Sequence, residues 1–279
     1  MSWKTLTEAR LRLWRRITNR SAAIFKYFVY LRYRLIRIFQ FRALRQMVFF
    51  GWRLWLRNAV GLEKIAYGEP CIIVSNHSSY FDFFVLASVL KKQTVFVAVK
   101  KLDQRSFVGW FMRLDTIVYV DRERPGYKFF KELIYHLKNQ KRVVVIYPEG
   151  TRSRSGKMLF PKAGFVKIAL KTNVPVIPLA MKGTYDILPP HKKFPAFKRC
   201  DVVVGDKIVL GPQNPDFADC FFGAPLDSNG SYRLSDSQIE EIAYRVMEKV
   251  RNLAGIEWDE SAVAYRKKML APPQDVVAQ

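Results

Sequence analysis

The spacing of apolar and polar residues changes character once along the chain. Up to about residue 60, apolar and basic residues mix at helical spacing. At about 100° per residue, Trp3, Leu6, Leu13, Trp14 and Ile17 fall on one side, while Lys4, Arg12, Arg15, Arg16 and Arg20 fall elsewhere and Arg10 interrupts the apolar face. Between Phe41 and Ala59, Arg42, Arg45, Arg53 and Arg57 share one face and leave Val48, Phe50 and Trp55 on the other. Both stretches predict amphipathic helices. From about Leu62 onward, short β-branched runs alternate with helical patterns, which is the signature of an α/β domain. The runs predict strands at Cys71–Val74, Thr94–Val99, Thr116–Val120, Arg142–Tyr147 and Val174–Met181, then Asp201–Val204, with Lys207–Leu210 as a candidate continuation. Ser235-Asp236-Ser237-Gln238 is a capping box opening a helix to about Leu253, before Gly255. The tail from Pro272 reads as disordered. The chain therefore divides into a basic amphipathic segment, 1–60, and an α/β domain, 61–279.

Charge sharpens this division. The 279 residues carry 47 basic and 24 acidic side chains, a formal charge of +23 that calls for a polyanionic partner. Residues 1–60 hold fourteen of the basic residues and only Glu8 among the acids. No continuous apolar h-region of a secretory signal is present, and the longest uncharged run near the end of the segment, Gln46–Trp52, is far short of the roughly 20 residues of a spanning helix. Apolar faces with aromatics and long cationic stems suit helices lying in a membrane interface. Ordinary core-packed helices and a nucleic-acid arm are the competing readings. The aromatic load is heavy for such an arm, and no nucleic-acid motif accompanies it. The three cysteines, Cys71, Cys200 and Cys220, are widely spaced and odd in number, which points to a reducing compartment rather than a disulfide framework or a zinc site.

The candidate chemistry follows the strands. After the first comes Asn76-His77-Ser78-Ser79-Tyr80-Phe81-Asp82, with Ser79-x-x-Asp82 reading as a capping box. Taken locally, Asp82 is a cap and His77 a loop residue. After the second strand comes Lys100-Lys101, after the third Asp121-Arg122, and after the fourth Pro148-Glu149-Gly150-Thr151-Arg152-Ser153. In open α/β sheets, ligand sites collect beyond the carboxyl ends of the strands. Parallel strands would therefore bring an imidazole, a carboxylate and several cations to one edge. A guanidinium fork matches a phosphate, Thr151 offers a hydroxyl, and Gly150 permits a tight turn. The bland alternative for that loop is a surface turn in which Glu149 pairs with Arg152. His136 and His191 lack any partner pattern and read as structural or solvent-exposed, and no metal-ligand cluster accompanies His77.

These motifs resemble the glycerolipid acyltransferase family, its bacterial lysophosphatidic acid acyltransferases in particular. Four motifs stand in family order: His77 with Asp82, Thr116 to Arg122, Pro148 to Arg152, and Val174-Pro175-Val176-Ile177-Pro178. Thr116 departs from the family's usual glycine and Tyr119 from its phenylalanine. The resemblance implies a mixed sheet flanked by helices. It also implies acyl transfer from a thioester to the free hydroxyl of lysophosphatidic acid, with His77 as general base oriented by Asp82. Arg152, Arg122 and Lys101 would hold the phosphate, and Glu149, Gly150 and Thr151 would complete the substrate site. No metal and no cofactor are expected beyond the co-substrate, a coenzyme A or carrier-protein thioester. Membrane lipids are the expected partner, through helices at the cytoplasmic face of the plasma or inner membrane. The rivals are the same chemistry on another lysolipid or lipid-linked acceptor, and a non-catalytic basic membrane- or nucleic-acid-binding protein.

Overall fold

A computed structural model describes residues 51, 53–91, 94–99, 116–121, 126–227 and 232–270. The reading of residues 1–50 as helices, Lys101, Arg122 and the tail from Pro272 lie outside the described residues. By internal contacts the chain separates into Met1–Val48 and Phe49–Gln279, and the description below concerns the second unit.

Seven strands form one mixed sheet: β1 Leu56–Val60, β2 Cys71–Ser75, β3 Val95–Val99, β4 Thr116–Val120, β5 Val143–Ile146, β6 Val176–Lys182 and β7 Cys200–Val204, in the order β1-β7-β6-β2-β5-β3-β4. The five strands β2 to β6 are mutually parallel. β7 lies antiparallel to β6, and β1 lies parallel to β7. The central strand β2 is buried along its whole length, as expected of a continuous Cys-Ile-Ile-Val run covered on both faces. The Lys207–Leu210 continuation is reduced to one bridge, Val176 with Ile208.

The helices are α1 Phe81–Val89, α2 Tyr127–Lys138, α3 Gly164–Thr172, α4 Thr184–Ile187, α5 Asp236–Ala254 and α6 Glu260–Leu270. Alternation along the strands shows which helices cover which face. Ile72, Val144, Val95 and Val176 are register partners and join a core with Leu133 of α2, Phe165 of α3 and Ile242 and Val246 of α5. The intervening register partners Ile73, Val145, Phe96 and Ile177 face the other way. There the Phe96 ring meets Phe83 of α1, edge to face, at 4.9 Å between centroids. α1 is apolar around most of its circumference because it is nearly all buried.

Two sequence expectations change here. The helical reading of 41–59 fails at its end, where Arg53–Trp55 is a single 3₁₀ turn and Leu56–Val60 is β1. Pairing with β7, more than 140 residues away, overrides the local spacing of the arginines. Arg57 binds the Asp201 carboxylate from this edge strand, with Nε at 3.0 Å. Ser79 is not the N-cap of α1 either. Tyr80 occupies that position, and the Ser79 hydroxyl instead accepts from the Phe81 N–H at 2.9 Å and donates to the Leu188 carbonyl at 2.6 Å. The box expected at Ser235 does form, with both of its reciprocal bonds. Among the described residues no helix is long and apolar enough to cross a membrane.

Candidate active site

β2 and β5 are adjacent and parallel, so the loops that follow them leave the sheet at the same edge. Beyond β2, the Asn76 side chain continues the ladder toward β6. Its Nδ2 donates to the Met181 carbonyl at 2.9 Å, and its Oδ1 accepts from the Met181 N–H at 2.8 Å. This anchors the residue that immediately precedes His77.

His77 is held by the backbone of its own loop and by the loop after β5. Its N–H donates to Glu149 Oε1 at 2.7 Å, and its carbonyl accepts from the Ser153 N–H at 2.8 Å. The imidazole lies flat against the Tyr147 ring, with centroids 4.2 Å apart and planes 21° from parallel. Its Nδ1 is 2.8 Å from Asp82 Oδ2. That same oxygen accepts from the N–H groups of Ser78 at 2.8 Å and Ser79 at 2.9 Å. An oxygen receiving two amide protons acts as an acceptor, so Nδ1 carries the ring proton and Nε2 keeps a free lone pair. Asp82 is fully buried in the first turn of α1, while the His77 side chain is 18% exposed. The carboxylate is thus fixed and the ring has an open edge. His77 precedes the helix, which is what lets residues five apart face each other.

Glu149 does not pair with Arg152. It is buried, and its second oxygen accepts from the Leu159 N–H at 3.0 Å, so both oxygens bind backbone. Burial pushes its carboxyl up to about 8. The amides of Leu159 and His77 pull the other way, and the charge of Asp82 adds to the rise. The native state therefore keeps a proton that the unfolded chain releases near 4.5, and this contribution to stability is lost as the pH rises from there toward 8. In thermal melts at about pH 5 and about pH 8, the wild type should lose a few kcal/mol across that interval relative to Glu149→Gln. The variant should carry a pH-independent cost of about 1–3 kcal/mol, because its NH₂ replaces one of the two accepting oxygens and faces a backbone N–H it cannot accept. Parallel stability curves would contradict the assignment.

Arg152 lies with its guanidinium over the Tyr80 ring, 3.3 Å from the centroid. Its Nη1 is buried without a hydrogen-bond partner among the described residues, a donor in need of an acceptor. Gly150 adopts φ +67°, and a Cβ there would press on the Lys162 side chain at 3.2 Å, so the turn needs glycine.

Two cavities meet at Tyr80 and Arg152. The first, about 190 Å³ against the roughly 10–15 Å³ that one water needs, has room for a group much larger than water. His77 opens onto it, and Phe83, Phe96, Phe129, Phe130, Phe165 and Ile168 make its walls apolar. Its origin is a split in the sheet. β3 pairs with β5 only at Val95↔Val144 and Phe96↔Val145, and past that point Val97–Val99 and Ile146–Tyr147 line the gap. The second cavity carries the cations Arg152 and Arg154 and is otherwise bounded by Tyr80, Thr151, Pro190 and His191. Sequence reading missed Tyr80, Tyr147 and the position of His191 at this cavity. His136 is structural, its Nδ1 2.7 Å from Gln140 Oε1. Among the described residues no cluster of His, Cys, Asp or Glu could hold a metal.

An imidazole–carboxylate pair thus stands at the strand ends, between an apolar cavity and a cationic one. Residues 57–182 match the family model described as Acyltransferase. Among curated proteins, it is 31% identical over 136 residues to the 1-acyl-sn-glycerol-3-phosphate acyltransferase of Cocos nucifera, a match covering 47% of this chain and 44% of that protein. It is also 31% identical over 148 residues to the human 1-acyl-sn-glycerol-3-phosphate acyltransferase beta, covering 52% of each. The chain thus spans about half the length of such relatives. The crystal structure of the 1-acyl-sn-glycerophosphate acyltransferase PlsC from Thermotoga maritima has the same fold, with a TM-score of 0.55 at 24% identity over 78% of this chain and 81% of that one.

Proposed function

We propose that the protein transfers an acyl chain from an acyl thioester to the free hydroxyl of lysophosphatidic acid, forming phosphatidic acid. The observation that carries this reading is the 2.8 Å contact between His77 Nδ1 and Asp82 Oδ2, with the ring opening onto the apolar cavity. His77 Nε2 removes the proton of the acceptor hydroxyl as the oxygen attacks the thioester carbonyl. Asp82 holds the ring and stabilises the imidazolium that forms. When the tetrahedral intermediate collapses, the C–S bond breaks and the imidazolium returns its proton to the leaving thiolate. No acyl-enzyme is needed, because the thioester is already activated.

The acyl chain occupies the apolar cavity, where each buried methylene contributes about 0.8 kcal/mol. The acceptor phosphate takes the second cavity, where the unpartnered Nη1 of Arg152 meets an anionic oxygen and Thr151 adds a hydroxyl. Lys101 and Arg122 are further phosphate ligands in this account. Glu149 acts on His77 through its backbone rather than on the substrate, and Gly150 shapes the turn. The donor is a coenzyme A or carrier-protein thioester, with no other cofactor, and the basic segment ahead of β1 brings the domain to the cytoplasmic face of the membrane. The names of the relatives favour lysophosphatidic acid over another lysolipid as acceptor.

Release of free thiol by the purified chain should require both thioester and lysophosphatidic acid, and release at the same rate without acceptor would contradict direct transfer. Arg152→Ala should raise the KM for lysophosphatidic acid by about ten- to a hundredfold, the loss of one charge-assisted contact, with kcat changed far less. Steady-state kinetics with the acceptor varied checks this, and an unchanged KM would remove Arg152 from the phosphate site.

A further inference from the structure

Between α4 and β7 runs the segment Pro189-Pro190-His191-Lys192-Lys193-Phe194-Pro195-Ala196-Phe197-Lys198-Arg199. Phe194 is 82% and Phe197 95% exposed, in a domain that buries most of its other phenylalanines. Single exposed aromatics are ordinary. Two on one short loop, interleaved with Lys192, Lys193, Lys198 and Arg199, all exposed, are not. These four cations make no ion pair among the described residues.

The loop is fixed at its base. The Ala196 N–H donates to the Ile187 carbonyl at 2.8 Å, and the Ala196 carbonyl accepts from Trp55 Nε1 at 3.1 Å. The Phe197 ring rests 5.6 Å from that of Trp55, beside the exposed Leu54. A braced loop presenting bare aromatics and unneutralised cations fits an interface where rings enter the acyl boundary and ammonium groups meet anionic headgroups. Its first residues, Pro190 and His191, line the same cavity as Arg152.

We propose that the 189–199 loop is a docking surface for a bilayer bearing anionic headgroups, one that sets the cationic cavity at the level from which a lipid headgroup reaches Arg152. The proposal rests on described residues alone, the loop and its brace at Trp55. It rests on the reading of the acceptor as a lipid, yet it is measured by binding without turnover. An inactive protein whose loop docks would therefore refute only the activity, and an active one whose loop stays in water would refute only the docking.

The test uses the full chain with Phe194→Cys carrying an environment-sensitive fluorophore, since Cys71, Cys200 and Cys220 are free and buried. Sucrose-loaded vesicles of phosphatidylcholine with about one-third phosphatidylglycerol should pull the protein down, shift the label's emission to the blue, and allow its quenching by doxyl-labelled acyl chains. Lys192→Glu/Lys193→Glu should weaken partitioning into these vesicles by about tenfold or more, with little effect on pure phosphatidylcholine. Co-sedimentation with the label still in a water-like environment would overturn the proposal, as would a failure to co-sediment. A label that ignores vesicles but responds to an acidic acyl carrier protein would likewise overturn it, and would assign the loop to a protein partner.

Discussion

His77→Ala should lower acyl transfer by at least about 10³-fold, near the upper range of what a positioned general base supplies. The fold should survive, because the interactions that hold residue 77 are made by its backbone: the N–H to Glu149, the carbonyl from Ser153. The alanine loses the ring's stacking on Tyr147 and its hydrogen bond to Asp82, whose Oδ2 keeps the N–H donors of Ser78 and Ser79, and the ring is already open to the cavity. Thermal unfolding should move by a few degrees at most. Thiol release measured on the folded variant checks this, and activity within tenfold of the wild type would sink the role assigned to His77.

Asp82→Asn should have an effect of similar size on kcat, about 10³- to 10⁴-fold, for a different reason. Asp82 Oδ2 gathers three donors, the Nδ1–H of His77 and the N–H groups of Ser78 and Ser79. An amide placed with its oxygen there stabilises an imidazolium poorly. Placed with its NH₂ there, it opposes two backbone protons and turns the ring to the wrong tautomer. Burial makes the exchange costly to stability as well, by about 1–3 kcal/mol. Because the two residues act as a unit, the double variant His77→Ala/Asp82→Asn should be no slower than the worse single variant. Effects that instead multiplied would mean that Asp82 serves something other than the ring.

The parts of this site legible in the sequence are those with local causes. β-branched runs marked β2, β5 and β6, and the turn residues after them marked the loops. Ser235 with Gln238 marked the start of α5. The distance from His77 to Asp82 could be judged too, because five residues across a loop and a first helical turn admit a hydrogen bond that a continuous helix would not. What stayed hidden depends on partners far along the chain. Leu56–Val60 is a strand because β7 lies beside it, and nothing within five residues says so. Glu149 looked like an exposed turn carboxylate able to reach Arg152, and only the β2–β5 pairing shows that it is buried under His77. The apolar cavity exists because β3 and β5 part after two register pairs. His191 meets the Arg152 cavity through a loop following β6, so a histidine without a local partner gave no sign of its place.

The most direct test of the central claim is a mass-spectrometric lipid product profile of the purified protein, incubated with an acyl-CoA and an equimolar panel of lysolipids. The account predicts phosphatidic acid as the dominant product, formed from lysophosphatidic acid and absent with His77→Ala. Intact lysophosphatidic acid beside an acylated product of another lysolipid, or phosphatidic acid formed equally well by the alanine variant, would contradict it.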